Sequence, residues 1–216
     1  EFLYDHGSEC KVRTAFGMTE CAAGVTMMPK EETRTDSIGI PIPDTYIKIC
    51  KPDTIEEVET GEIGELCICG PTVMVGYHKD KKETDNVLKK HKDGKIYLHT
   101  GDIGCMDKDG FVYFKSRLKR MIVSSGYNVY PGQLEDIICA HPYVQSCAVV
   151  GVPHPYKKEV AKAYIVLKEG IELNGEVKKS IKEYCKKNIA KYAMPYDIEF
   201  RDELPKTLVG KVAYRA

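Results

Sequence analysis

The apolar residues of this chain come in short runs that stop within a few residues at glycine or a charged turn: "YIKIC" at 46–50, "ELCICG" at 65–70 and "FVYF" at 111–114. Runs of that length, punctuated in that way, predict the strands of a small sheet or barrel rather than helices. "MDKDG" supplies the turn of a hairpin that continues into "FVYF". Near residues 117–120 a charged cluster interrupts two apolar runs, and the pattern changes beyond it. Two short strands flank Ser125 and Gly126, and Pro131 opens a helix whose apolar face is Leu134, Ile137 and Ile138. "CAVVGV" and "AKAYIVL" read as strands, Asn174 as the N-cap of a helix with Val177, Ile181, Tyr184 and Cys185 as its stripe, and "YDIEF" as a last strand. The expected class is therefore α+β: a strand-rich, distorted-barrel-like subdomain over 1–116, a boundary at 117–120, and a compact α+β unit over 121–216.

Composition narrows the function classes. With 216 residues the chain suits one or two domains, and 32 basic against 32 acidic residues, interspersed, argue against nucleic acid as the main partner. No apolar run approaches the roughly 18 to 20 residues that span a bilayer, and the N-terminus has no signal-peptide form. It also lacks a starting Met, which suggests a piece of something longer. Nine cysteines, an odd number scattered through strand-like segments, read as reduced thiols used as small hydrophobes in a reducing, cytoplasmic compartment. Cys67 and Cys69 are one residue apart without a second pair at zinc spacing, so a metal cluster is not expected from them.

The chain finishes on a Gly-Lys pair in "LPKTLVGK", 204–211. A phosphate-cradling loop would need glycine five places before that Gly and Ser or Thr after the Lys, where this chain has Pro205 and Val212. Lys211 needs another explanation.

Six segments, in this order, supply one: "AFGMTE" (15–20), "GEIGELCICGPTVMVGY" (61–77), "HTGD" (99–102), "KSRLKRMIVSSGYNVYP" (115–131), "HPYVQSCAVVGVP" (141–153) and "LPKTLVGK". Together they resemble the signature segments of the adenylate-forming acyl-CoA synthetases, most of all fatty-acyl-CoA ligases. The resemblance implies the C-terminal portion of such an enzyme: the last subdomain of its large AMP-binding domain over 1–116, a hinge at 117–120, and a mobile lid over 121–216. The Ser/Thr/Gly-rich phosphate loop that family members carry upstream has no counterpart here, so the chain by itself is expected to be inactive.

The resemblance also assigns roles. It implies that Phe16, where Tyr is usual, stacks on adenine beside Gly17, that Thr19 bonds the α-phosphate and that Glu20 holds Mg²⁺, a hard cation suited to a carboxylate. Asp102 would accept both ribose hydroxyls, which two carboxylate oxygens can do, and Arg117 would also contact the ribose. Lys119 matches the hinge position, Gly126 the glycine beside the pantetheine arm of CoA, and Lys211 a lysine that bridges the carboxylate substrate and the α-phosphate. Taken alone, "GMTE" suits a helix cap, Asp102 a surface turn and Gly126 a tight turn. Ser116 and Gln133 stand where Gly and Glu are common.

The implied activity is ATP-dependent activation of a carboxylic, and by resemblance fatty, acid as acyl-AMP, followed by transfer to CoA with ATP, Mg²⁺ and CoA as cofactors. Lys119, where amino-acid-activating peptide synthetase domains usually have Asp, favours this over an adenylation domain that loads a carrier protein. The other rival is a non-catalytic module of the same fold.

Overall fold

The structure is a computed structural model that describes residues 5–7, 12–32, 34–208, 210 and 212–214. The chain divides into two compact units, Glu1–Leu118 and Lys119–Ala216.

In the first unit β1 (Ala15–Met18), β2 (Ala23–Met27) and β3 (Ile40–Pro41) form a three-stranded antiparallel sheet. β4 (Tyr46–Cys50) and β5 (Gly64–Cys69) lead into α1 (Lys81–Val87), β6 (Leu88–Lys90), the eleven-residue β7 (Ile96–Met106) and β8 (Val112–Arg117). These five strands make a second sheet in the order β4-β5-β7-β6, with β8 also on β7. Because β5 pairs with residues 98–104 of β7 along one edge, the other edge is shared: β6 takes residues 96–98 and β8 residues 102–106. The strand-rich subdomain thus consists of two open sheets, and among the described residues no barrel closes. Strand alternation puts Ile47, Ile49, Leu66, Ile68 and Leu98 of the second sheet into the main core, with Val112, Val25 and Cys21. The opposite face carries Cys50, Cys67 and Tyr97.

The hairpin read from "DKDGFVYF" forms, with Met106 opposite Val112. Asp107 organises its turn, accepting from the N–H groups of Asp109 and Phe111, both at 2.9 Å. Backbone bonds from Ile38 to Val112 and from Val112 to Gly39 couple this hairpin to the first sheet.

The second unit contains the hairpin β9 (Ile122–Ser124) and β10 (Tyr127–Val129), α2 (Pro131–Cys139), the long hairpin β11 (Val144–His154) and β12 (Lys158–Leu167), α3 (Gly175–Asn188) and β13 (Asp197–Phe200), which lies parallel to β12. Pro131 is at the first helical turn of α2, and Asn174 caps α3 by accepting from Val177 N–H at 2.9 Å. Leu134 and Ile138 of α2 and Val177, Ile181 and Cys185 of α3 are buried against Cys147, Val149, Ala161, Ala163 and Ile165 on one sheet face. Each Leu, Ile or Val among them contributes about 1.5–3 kcal/mol of burial free energy. The other face, with Ala148 and Val166, is covered by Leu204, Val212 and Tyr214 from the C-terminal segment. No helix among the described residues is long and apolar enough to cross a membrane.

Candidate active site

In the first unit the segment "AFGMTE" runs off the end of β1 into a 3₁₀ turn, Thr19–Cys21. A helix cap does not account for it: Met18 occupies the N-cap and no side-chain capping bond forms. Gly17 is required on steric grounds, since a Cβ there would lie 1.7 Å from the carbonyl oxygen of Ala23. Ala22 and Ala23 follow at φ 52° and 105°, strained values for residues with a Cβ. The turn presents Phe16, Gly17 and Thr19 to a broad surface hollow of about 570 Å³. Phe16 stacks on Phe114 of β8 with centroids 6.5 Å apart, which ties this turn to the strand that ends in Arg117.

Glu20 is half-buried and its Oε1 accepts from Tyr77 Oη at 2.8 Å. Burial, and then this bond to a carboxylate, push the Tyr77 phenol up to about 12, so it remains a donor. Tyr77 closes the segment "GPTVMVGY", whose likeness to the family was legible although no role was read for that residue.

Asp102 is not in a surface turn. It lies inside β7, 1% exposed, directly opposite Arg117. Arg117 Nε is 3.3 Å from Oδ1, but without hydrogen-bond geometry, and Oδ1 is buried with no hydrogen-bond partner. Burial raises the Asp102 carboxyl above the usual range; Arg117 opposes this, while Glu65 and Glu20 add to it. The result is an acceptor that is dry, oriented and unsatisfied, which is what a diol would complete.

The strand beside it is braced by Glu65. Gly101 N–H donates to Glu65 Oε1 at 2.9 Å, and the other oxygen of Glu65 meets His99 Nδ1 at 2.8 Å. Burial pushes the Glu65 carboxyl up, but the bonds from His99 and Gly101 outweigh it and hold the group below its ordinary value. Glu65 lies in the quoted segment "GELCICG"; only its partner 36 residues on, Gly101, reveals its place.

At the start of the second unit Lys119 is exposed in the 3₁₀ turn Leu118–Arg120, at the break between the two units. Ser125 and Gly126 form the two-residue turn of β9 and β10, at φ 50° and 84°, the pattern of a type I′ turn. A Cβ at Gly126 would meet nothing within 4 Å, so within the chain the glycine serves the turn and not a close approach. A hollow of about 140 Å³ adjoins the turn, with Tyr127 and Tyr192 stacked at 4.9 Å in its wall. Gly210 has φ 79°, and Lys211 lies outside the described residues. The structure therefore brings Phe16, Gly17, Thr19, Glu20, Asp102 and Arg117 into one unit, and Lys119, Gly126 and Gly210 into the other.

Comparison with known proteins finds a family match in each of the two units. Residues 1–78 match the family model of the AMP-binding enzymes, and residues 133–211 that of the AMP-binding enzyme C-terminal domain. The chain is 41% identical over 201 residues to the long-chain-fatty-acid–CoA ligase of Salmonella typhi and 37% identical over 207 residues to that of Haemophilus influenzae. These alignments cover 93% and 95% of the chain but 34% and 35% of the relatives, so it spans about a third of their length. Among solved structures, ATP-bound MatB from Rhodopseudomonas palustris superposes with a TM-score of 0.84 at 30% identity, covering 95% of this chain and 39% of that one. The o-succinylbenzoate CoA synthetase MenE from Bacillus subtilis, in complex with its acyl-adenylate intermediate, gives 0.82 at 29% identity, covering 98% and 41%. The chain belongs to the AMP-binding enzyme family, and its second unit carries the family's C-terminal domain.

Proposed function

We propose that this chain is the C-terminal portion of an ATP-dependent, AMP-forming acyl-CoA ligase, acting on a carboxylic acid of the fatty-acid class. The observation that carries the reading is the buried, unsatisfied Oδ1 of Asp102 beside an exposed arginine, an acceptor suited to a ribose hydroxyl. The similarity to long-chain-fatty-acid–CoA ligases supports the substrate class.

In this reading the carboxylate oxygen of the acid attacks the α-phosphorus of ATP, giving acyl-AMP and pyrophosphate. The CoA thiol then attacks the acyl carbonyl, loses its proton and expels AMP. Phe16 provides a ring face for adenine, and Gly17 lets the backbone follow. Thr19 donates its hydroxyl to an α-phosphate oxygen, and Asp102 and Arg117 fix the ribose. Bound Mg²⁺ would neutralise phosphate charge, and Glu20, oriented by Tyr77, is a hard oxygen donor of the right kind to hold it. Lys211 brings positive charge to the oxygens on which negative charge concentrates. Lys119, exposed where the two units divide, absorbs the backbone change that turns the second unit from adenylation to thioester formation, in which the CoA arm runs past Gly126.

The test is ATP–pyrophosphate exchange by the full-length protein over carboxylates of graded chain length, beside Asp102→Ala. Exchange driven by one chain-length class and lost in the variant is the expected result. Exchange that is absent with every acid, or indifferent to Asp102→Ala, overturns the reading.

A further inference from the structure

The face of the second sheet turned away from the main core holds a concentration of metal-ligating side chains that the ligase chemistry does not use. Cys67 of β5 lies directly opposite His99 of β7, and Cys50 of β4 directly opposite Glu65 of β5. His91 enters from the turn between β6 and β7, where its N–H is held by the carbonyl of Lys95 at 2.9 Å. All five are buried: Cys50 and Cys67 at 0%, His91 and Glu65 at 4%, His99 at 6%. One ligand atom from each of Cys50, Cys67 and His91 lies within 4.8 Å of the others, and the same is true of Glu65, Cys67 and His99.

Two details point to a cation rather than to ordinary packing. The first is that His91 Nδ1 is buried without a hydrogen-bond partner, while its Nε2 faces His99 Nε2 at 3.1 Å. An orphaned imidazole nitrogen in the interior costs roughly 1–3 kcal/mol unless something takes its lone pair. The second is that the surroundings already have the form of a metal's outer shell. With Glu65 accepting from His99 Nδ1, the other ring nitrogen of His99 is left as an acceptor towards His91, so a chain of bonds runs His91–His99–Glu65 and on to Gly101 N–H. A metal-ligating histidine commonly gives its other ring N–H to an acceptor that fixes its tautomer, and His91 has such an acceptor in His99, itself held by Glu65.

We propose that Cys50, Cys67 and His91 bind a zinc-type divalent cation, with His99 and Glu65 as the outer shell that orients His91. Two thiols and one neutral imidazole are borderline-soft donors, which select zinc and its congeners over Mg²⁺. Binding exchanges the two thiol protons for the dication, so the ligand set with its metal is neutral and suits a dry location. The cation joins β4, β5 and the β6–β7 turn on the side of the sheet that, through Glu65 and Gly101, braces β7 next to Asp102. The site is distinct from the Mg²⁺ position proposed at Glu20, and its existence does not depend on the ligase reading. A disulfide is the competing state of the same cysteines, but Cys50 and Cys67 lie diagonally across β4 and β5, each opposite a different residue.

The experiment uses the full-length protein, purified under reductant without chelators and freed of any affinity tag. Zinc is counted by elemental mass spectrometry; the metal is then removed and Co²⁺ added while absorption is recorded. One equivalent of zinc and a thiolate-to-cobalt charge-transfer band are expected. Cys50→Ser and His91→Ala should lose the band or weaken Co²⁺ binding at least tenfold, and Cys69→Ser should change neither. His99→Gln should keep the stoichiometry and weaken binding roughly 10- to 100-fold. Less than about a tenth of an equivalent of zinc with no cobalt band in the folded wild-type protein overturns the proposal, as does a Cys50–Cys67 disulfide found in protein that binds no metal. The wild-type spectrum decides the matter even if a cysteine variant fails to fold.

Discussion

Asp102 Oδ1 and Arg117 Nε stand 3.3 Å apart at paired positions of β7 and β8, with the Asp102 side chain 1% exposed and the Arg117 side chain 68% exposed. The pair is lopsided: the arginine remains hydrated while the carboxylate bears the desolvation, and its pKa is raised in spite of the nearby guanidinium. A carboxyl whose pKa rises on folding destabilises the fold whenever it is ionised, and the penalty fades as pH falls towards the unfolded value near 3.9. Asp102→Asn is therefore expected to raise the melting temperature at pH 7, by a margin that shrinks towards about pH 4 in thermal scans. The same variant should lose ATP affinity roughly 10- to 100-fold, since a hydrogen bond to a charged acceptor is worth about 1.5–3 kcal/mol. A melting gain that is flat with pH would show that burial of this charge is not its cause.

Tyr77→Phe removes one bond to Glu20 and nothing else of comparable strength. The stability loss should be about 1 kcal/mol by urea unfolding. If Glu20 is the Mg²⁺ ligand, the Mg²⁺ concentration for half-maximal pyrophosphate exchange should rise by about tenfold or more, as losses of outer-shell partners do. An unchanged Mg²⁺ titration would remove Glu20 from that role.

Gly126 permits a separation of backbone demand from function. Gly126→Ala puts a Cβ at φ 84° and should cost about 1–2 kcal/mol, although the side chain meets nothing. Gly126→Asn tolerates that conformation better and should recover part of the stability. If the CoA arm passes here, both variants should slow thioester formation from acyl-AMP while leaving pyrophosphate exchange nearly unchanged. Full thioester rates in the asparagine variant would reduce Gly126 to a turn residue.

Much of this was legible from local chemistry. Pro131, Asn174 and the spacing of Val177, Ile181 and Cys185 announced two helices because caps and apolar stripes are encoded within a few residues. α1 escaped notice for the converse reason: it buries none of its residues, so its sequence has no stripe, and its main signal is Asp80 accepting from Glu83 N–H. The Cys50, Cys67 and His91 cluster was illegible because its members are 17 and 24 residues apart and meet through strand pairing rather than through spacing. The candidate nucleotide residues came from resemblance to quoted segments; the orphaned oxygen of Asp102 and the brace of Glu65 required the fold.

Lys211→Ala should lower pyrophosphate exchange by roughly 10² to 10³, the usual loss when one charged or hydrogen-bonding stabiliser of a transition state is removed. It should leave the melting temperature unchanged. Conversion of chemically supplied acyl-AMP and CoA to thioester should be largely spared, because in the proposed mechanism that half-reaction follows rotation of the second unit. Equal losses in both half-reactions would assign the lysine to binding common to both.

The C-terminal segment that covers the other sheet face of the second unit is stapled to itself. Lys206 pairs with Val212, and Ala213 N–H donates to the carbonyl of Pro205 at 2.8 Å, while Leu204 is buried below them. Lys206 and Val212 thus close a short loop, within which Gly210 N–H donates to the carbonyl of Thr207 at 2.9 Å. In the proposed reaction a group carried on such a closure reaches its substrate by rotation of the whole domain, and the entropy of closing the loop has been spent once, at folding.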